Sequence, residues 1–305
     1  MKDKFKKVIS VLTDKYKRTI FMSKLGFYNH ISDEKFVKMQ FKNVFGYEPD
    51  LENPVTYDEK LQWLKLYNHR AEYINMVDKY EVKHYVASII GEEHIIPTLG
   101  VWDSFDEIDF NILPDKFVLK CTHDSGGVVI CKDKSQFNIS AARKKISASL
   151  AKNYYIQNRE WPYKHVKRRV IAEKYMVDES GYELKDYKFF CFNGEVKALF
   201  TASGRENQET GVKYDFYDSD FNHLPINTDE NSYKPLKCPD SFEQMKYYAG
   251  LLSRNIPHVR VDFYDINGKL YFGELTFFHL SGFERFDPPH WNKVFGDWIE
   301  LPEVI

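Results

Sequence analysis

Asp262 and Glu274 stand twelve residues apart in the stretch HVRVDFYDINGKLYFGELTF, with Thr276 just beyond them. The runs on either side of Asn267-Gly268 alternate and are rich in Val, Phe and Tyr, and Asn-Gly between such runs is the strongest short-range signal of a β-hairpin. Register then decides the chemistry. A strict two-residue Asn-Gly loop sets Asp262 opposite Gly273 and sends the two carboxylates to opposite faces, because side chains alternate with period two. A three- or five-residue loop centred on Gly268 sets Asp262 opposite Glu274, so a shared site requires an odd loop. Two carboxylates about 5 Å apart on one face repel unless a cation or a proton lies between them, and hard oxygen ligands of this kind suit Mg²⁺ carrying phosphate oxygens. An ordinary solvated hairpin with its charges outward has the same pattern.

Three other segments hold residues suited to chemistry. In LPDKFVLKCTHDSGGVVICKD a strand ends on Lys120, a Gly-rich loop follows and a second strand returns. Backbone N–H groups that can approach oxygens, beside a point charge, are what a phosphate cradle needs. The segment lacks the GK[ST] of a P-loop, and Gly-Gly pairs commonly serve as plain hairpin turns. In VIAEKYM, residues 170–176, an apolar strand can serve as a hinge whose backbone pairs with an adenine edge while Tyr175 and Met176 flank the ring. It also reads as a simple edge strand. Asp186, Lys188, Arg205 and Lys213 could meet phosphates or carboxylates, although charged residues on hairpins usually face water. Finally, Asp218-Ser219-Asp220 forms a DxD of the kind found in metal-dependent glycosyltransferases.

These residues must be carried by elements that periodicity and turn residues outline. Helices are expected in FVKMQFKNVFG, ending on Gly46; in TYDEKLQWLKLYNHR, starting behind Thr56 with Glu59 three residues on; and in DKYEVKHYVASIIG, ending on Gly91. After Pro97 the texture changes to short β-branched runs (FVLKC and VVICKD), a helix AARKKISASLAKNYY, a strand RRVIAEKYMV and a hairpin KFFCFNGEVKALFT. A helix SFEQMKYYAGLLSRNI then leads into the carboxylate hairpin, which makes a mixed α/β pattern of two lobes.

Bulk properties limit the alternatives. With 305 residues, 43% of them apolar, the chain can bury a full core, and a net charge of -2 excludes a chain-wide nucleic-acid footprint. Cys121, Cys131, Cys191 and Cys238 form no CxxC pair, so free thiols in a reducing, cytoplasmic compartment are expected. No apolar run approaches the length of a membrane span. The first 24 residues nevertheless carry eight Lys/Arg against Asp3 and Asp14. Phe5, Val8, Ile9, Leu12, Tyr16 and Ile20 recur there at helical spacing, which fits either an amphipathic helix on the inner face of an anionic membrane or a helix docking its apolar stripe on the protein body.

The order of the blocks DKYEVKHYV, LPDKFVLKCTHDSGG, KYMVDESGYELKDYKFFCFNGE and VRVDFYDINGKLYFGELTFF resembles the ATP-grasp superfamily. Their wording is most similar to its TupA-like branch, over roughly residues 40–300. The resemblance implies an α+β fold of ATP-grasp type, with nucleotide bound between two α/β lobes. The implied divisions are a helical N-terminal region (1–75), an N-terminal lobe (76–175) and a C-terminal lobe bearing the metal hairpin (176–305). It also implies ATP and Mg²⁺ as cofactors. Lys79 and Lys120 would hold the ATP phosphates beneath the loop of His123, Ser125, Gly126 and Gly127. Glu173, Lys174 and Met176 would form the adenine hinge, and Lys188 would face the phosphates. Asp262, Glu274 and Thr276 would stand at the metal positions, with Arg260 in the same cleft. The family usually has Asn where Thr276 stands, and a hydroxyl is a weaker metal ligand. His279, Ser281 and Gly282 follow where such enzymes bind the acceptor or the acyl phosphate, so Lys120, Arg260 and His279 are the expected catalytic residues. The implied activity joins a small-molecule or saccharide carboxylate to an amine in surface or capsular polysaccharide biosynthesis, with no nucleic-acid partner. A DxD glycosyltransferase and a non-catalytic nucleotide-binding protein are the alternatives, the latter favoured only by Thr276.

Overall fold

The structure, a computed structural model, is described here over residues 13–181, 183–204, 211–228, 231 and 236–303. Local capping sets the helical boundaries. Gly46 ends the helix Asp33–Phe45 in a left-handed conformation (φ 85°) that costs glycine nothing. Thr56 and Glu59 form a reciprocal capping box at the start of the helix Tyr57–Tyr67. Gly91 follows the helix Glu81–Ile90. Of the apolar N-terminal stripe, Phe5, Val8, Ile9 and Leu12 lie outside the described residues, as does Arg205. Tyr16 and Ile20 belong to the helix Lys15–Lys24, where Tyr16 packs edge-on against Phe283 with centroids 5.3 Å apart. No helix among the described residues is long and apolar enough to cross a membrane.

A four-stranded antiparallel sheet has the order β1-β4-β2-β3, formed by β1 (Thr98–Trp102), β2 (Phe117–Cys121), β3 (Val128–Cys131) and β4 (Val170–Lys174). Along β2, Phe117, Leu119 and Cys121 point into a core shared with Ala142 and Ile146 of the helix Ile139–Leu150. Period-two alternation therefore turns Val118 and Lys120 to the opposite face.

A five-stranded antiparallel sheet has the order β7-β6-β5-β8-β9, formed by β5 (Asp186–Phe192), β6 (Glu195–Ser203), β7 (Lys213–Asp218), β8 (Val259–Ile266) and β9 (Lys269–Thr276). Phe189 and Phe263 are wholly buried, and Phe189 stacks on Phe242 of the helix Phe242–Leu252. This larger core also takes in Tyr57, Leu61, Val82, Val86 and Ile90 from the N-terminal helices. The C-terminal helix His290–Asp297 closes on the start of the helix Tyr57–Tyr67 at Gly296, where a Cβ would lie 2.3 Å from the Val55 carbonyl oxygen.

The elements anticipated from periodicity are present with shifted ends. The helix after β3 stops at Leu150 rather than reaching Tyr155, and β4 begins at Val170 rather than at Arg168. Strands β1 and β7 had no clear signal, since both are short and carry mixed polarity. The carboxylate hairpin corrects a specific expectation. Its loop is not odd: Ile266 pairs with Lys269, leaving a strict two-residue Asn267-Gly268 turn with φ of 55° and 80°. Asp262 nevertheless pairs with Glu274, because a bulge between Asp262/Phe263 on β8 leaves Gly273 unpaired on β9. One extra residue in one strand shifts the register by one, which is what an odd loop was needed to do.

Candidate functional site

A cleft of about 520 Å³ lies between the two sheets, lined by Lys79, Lys120, Ser125, Gly126, Glu173, Lys174, Met176, Asp186, Lys188 and Glu274 among others. Local structure aims each of these side chains. Asp78 accepts from the backbone N–H groups of Tyr80 and Glu81 at 2.8 and 3.2 Å, which caps the following helix and leaves Lys79 at its mouth. The Lys79 ammonium donates to the Asp124 carbonyl oxygen at 2.5 Å and so touches the base of the glycine loop. The backbone N–H of Lys79 donates to the Thr122 carbonyl at 3.0 Å.

The glycine loop splits into a cleft-facing half and an anchored half. Ser125 and Gly126 face the cleft, and Gly126 adopts a φ of 94° that few other residues tolerate. Gly127 packs beneath them, where a Cβ would lie 2.4 Å from Ser149 Oγ and 2.6 Å from Asp124 Oδ1. Ser149 donates a short hydrogen bond to Asp124, tying the loop to the helix Ile139–Leu150. His123 is not a cleft residue. It is buried, and its Nε2 lies 3.3 Å from the Lys152 carbonyl oxygen.

Glu173 lines the cleft near the end of β4. Its carboxylate is buried and bridges two lysines, Lys120 at 2.6 Å and Lys83 at 2.5 Å. Burial alone would raise its pKa, but Lys120 and Lys83 outweigh burial and hold it down at about 2. The same pairing keeps Lys120 protonated against the cost of its own burial. Lys83 also donates to the Ile96 carbonyl at 2.8 Å and to Thr98 Oγ1 at 3.0 Å, so all three of its protons are used. Sequence reasoning missed Lys83, although its place one helical turn after Lys79 was a usable signal. Lys174, Tyr175 and Met176 do line the cleft at the end of β4.

On the larger sheet, β5, β8 and β9 bring Lys188, Asp262 and Glu274 into one row. Asp262 is buried and fully engaged. Arg260 grips it in a fork, Nε to Oδ1 and Nη2 to Oδ2, both at 2.7 Å, and Lys188 makes a short ion pair with the same carboxylate. Burial pushes the Asp262 carboxyl up, against the pull of Arg260 and Lys188. Glu274 differs, because 43% of its side-chain surface is open to the cleft. Burial opposes its ionisation, but Lys188, Arg260, Lys79 and Lys120 bring its pKa to about 2. Arg260 Nη2 donates to Glu274 at 3.1 Å and to Thr276 Oγ1 at 3.0 Å.

His279 stands behind Arg260 rather than in the cleft. Its Nδ1 lies 2.8 Å from Arg260 Nη1 and its Nε2 lies 2.9 Å from Glu284 Oε2. A guanidinium only donates, so Nδ1 accepts and Nε2 carries the proton that Glu284 receives. Burial lowers the pKa of His279, consistent with this neutral tautomer.

The donor set fits one Mg²⁺ more readily than two. Glu274 offers a hard carboxylate oxygen to the cleft, whereas both oxygens of Asp262 are taken by Arg260 and Lys188, and Thr276 already accepts from Arg260. Among the described residues no group of three or more His, Cys, Asp or Glu is placed to hold a metal. Mg²⁺ is commonly held by one or two carboxylates together with substrate phosphates, and Glu274 can serve in that way. The DxD carboxylates are occupied elsewhere. Asp218 accepts from the Asp220 and Asn222 N–H groups at 2.9 and 2.8 Å, and Asp220 pairs with Lys246 at 3.0 Å.

Two antiparallel sheets facing each other across a lysine-lined cleft, with a glycine loop over one side, are the pattern of the ATP-grasp class. A model of the family described as TupA-like ATPgrasp matches residues 59–300, most of the chain, and the protein belongs to that family. No curated protein matches the sequence. Similar solved structures include a D-alanine-D-alanine ligase from Helicobacter pylori, at 15% identity and a TM-score of 0.41, covering 81% of this chain and 69% of that one. The D-alanine-D-alanine ligase of Bacillus anthracis matches at 16% identity and a TM-score of 0.36, covering 66% of this chain and 56% of that one. The ATP-grasp ligase PsnB, solved with a precursor variant, Mg and ADP, matches at 12% identity and a TM-score of 0.41, covering 77% of this chain and 60% of that one.

Proposed function

We propose that the protein is an ATP-dependent ligase that activates a carboxylate as an acyl phosphate and passes the acyl group to an amine. The observation that carries this reading is the convergence of Lys79 and Lys120 with Lys188 and the open carboxylate of Glu274 across one cleft. A carboxylate is a poor electrophile. Its oxygen would attack the γ-phosphorus of ATP, the bond to the β,γ-bridging oxygen would break, and ADP would leave. The amine would then add to the acyl carbon, expel phosphate and lose a proton. Lys79, Lys120 and Lys188 neutralise charge on the phosphate oxygens, where a preorganised cation acts most strongly. Mg²⁺, held by Glu274, supplies Lewis-acid stabilisation of the same oxygens when bound. The glycine loop, by covering the reacting atoms, keeps water from the acyl phosphate.

Membership of the TupA-like family favours a role in surface or capsular polysaccharide biosynthesis, with an amino-acid or uronic-acid carboxylate as substrate. A nucleotide screen by thermal unfolding tests the reading, since a ligand that binds only the folded state raises the midpoint. ATP with Mg²⁺ should stabilise the wild type and leave Lys120→Ala unshifted. Stabilisation by UDP-sugars and not by ATP would replace the ligase with a glycosyltransferase. ADP release that needs both a carboxylate and an amine then identifies the reaction.

A further inference from the structure

We propose that the outward stripe of the helix Lys15–Lys24, with the turn that ends it, is a docking surface for an anionic lipid membrane. This inference is independent of the ligase reading. The inward side of the helix is already satisfied. Thr19 and Ser23 are buried, Tyr16 packs on Phe283, the Tyr16 hydroxyl donates to Asn158 at 3.2 Å and Ser23 Oγ donates to the Ile156 carbonyl at 2.5 Å. The apolar residues Tyr16 and Ile20, which sequence alone offered to a membrane, therefore face the protein body or its margin.

A different set faces outward. Lys17, Arg18, Phe21, Lys24 and Leu25 are all exposed, and they fall on one helical stripe. Leu25, Gly26 and Phe27 complete a Schellman turn. The Gly26 N–H donates to the Ser23 carbonyl at 2.9 Å and the Phe27 N–H to the Met22 carbonyl at 3.2 Å, and Gly26 takes the φ of 84° that this turn requires. Phe21 and Leu25, one helical turn apart, and Phe27 in the turn that follows are 48%, 59% and 56% exposed. Three large apolar side chains left in water at one end of a helix mark an interaction surface.

Charge selects the partner. Lys17, Arg18 and Lys24 share the exposed stripe with Phe21 and Leu25, and Asp14, which pairs with Lys17 at 3.8 Å, is the only acid between positions 13 and 32. Lysine is depleted in protein–protein interfaces. Beside an anionic bilayer, by contrast, lysine and arginine stems can lie along the surface while Phe and Leu enter the headgroup boundary.

Sedimentation with vesicles tests the proposal. The full chain should pellet with vesicles of phosphatidylcholine mixed with phosphatidylglycerol, should not pellet with phosphatidylcholine alone, and should be released by salt. The triple variant Phe21→Ser/Leu25→Ser/Phe27→Ser and the double variant Lys17→Glu/Arg18→Glu should each lower the bound fraction about tenfold or more. Circular dichroism and the unfolding midpoint of both variants should match the wild type, which separates lost binding from lost folding. Equal pelleting with neutral vesicles, or variants that pellet like the wild type, would overturn the proposal. So would a wild-type self-association that the serine variant abolishes without any lipid dependence.

Discussion

Most charged side chains around the cleft are committed to one another, and this sets what a single substitution does. Lys83 is 11% exposed and its partner Glu173 is 7% exposed, so removing the ammonium leaves a buried carboxylate short of a partner. Lys83→Met should lower unfolding stability by about 3 kcal/mol. The pair Lys293–Asp297 is 62% and 54% exposed, and Lys293→Ala should cost no more than about 0.5 kcal/mol. Urea denaturation of the two variants measures both, and equal losses would mean that the bridge between Lys83 and Glu173 contributes nothing special. Residue types alone disclosed the lysines and carboxylates but not their allegiance. VIAEKYM reads as a hinge whose backbone would meet an adenine edge, and it does not disclose that the Glu173 carboxylate pairs with Lys120, which follows from β4 pairing antiparallel with β2 and setting Glu173 opposite Val118.

Register decides at the scale of the element whether the hairpin has a site at all. The Asn267-Gly268 turn alone would separate Asp262 from Glu274, and the bulge at Gly273 reunites them. Gly273 suits this place because a Cβ there would lie 3.0 Å from the Asp262 carbonyl oxygen and 3.3 Å from Tyr264 Cε2. Gly273→Val should therefore disturb the pairing of Asp262 with Glu274. The expected outcome is loss of the ATP-dependent rise in unfolding midpoint with a smaller loss of stability in the absence of ATP. A variant that keeps the full nucleotide response would show that the bulge tolerates a side chain. Hairpin existence was legible from alternation and Asn-Gly, whereas the bulge was not, since an isolated glycine in a strand says that something is irregular but not which way the register moves.

Acid sensitivity is a property of the whole molecule. His258 is buried where the N-terminal helices meet the larger sheet, with Nε2 3.0 Å from the Tyr57 hydroxyl and Nδ1 3.2 Å from the Cys191 carbonyl. Burial lowers its pKa from 6.5 to about 3. A histidine held neutral in the fold is protonated first in the unfolded chain, so its contribution is complete above about pH 6.5 and is lost as pH falls towards 3. His279, also lowered by burial, acts in the same direction. Glu173 and Glu274, each depressed from 4.5 to about 2, add a second loss as pH falls from 4.5 towards 2. The contribution of His258 should thus begin to fall below about pH 6.5, while the buried carboxyls of Asp58, Glu160 and Asp262, whose pKa values burial raises, act in the opposite direction at lower pH. His258→Gln should flatten the decline between about pH 6.5 and 4.5 in urea midpoints, and an unchanged slope there would remove His258 as a cause.

Sequence by itself determined the helix caps at Thr56 and Gly46, the two Asn-Gly hairpins and the glycine loop behind Lys120, because each depends on interactions within a few residues, and it carried the order of blocks that marks the family. Tertiary structure decided the rest. It turned Tyr16 towards the body and left Phe21, Leu25 and Phe27 outside. It placed His123 and Gly127 under the loop rather than in the cleft, and it gave Asp262 to Arg260 and Lys188 while leaving Glu274 open. The physical reason is common to all of these. A side chain's role is set by which partners reach it once distant strands pair and by how far burial strengthens that charge pairing, and neither is a property of neighbours along the chain.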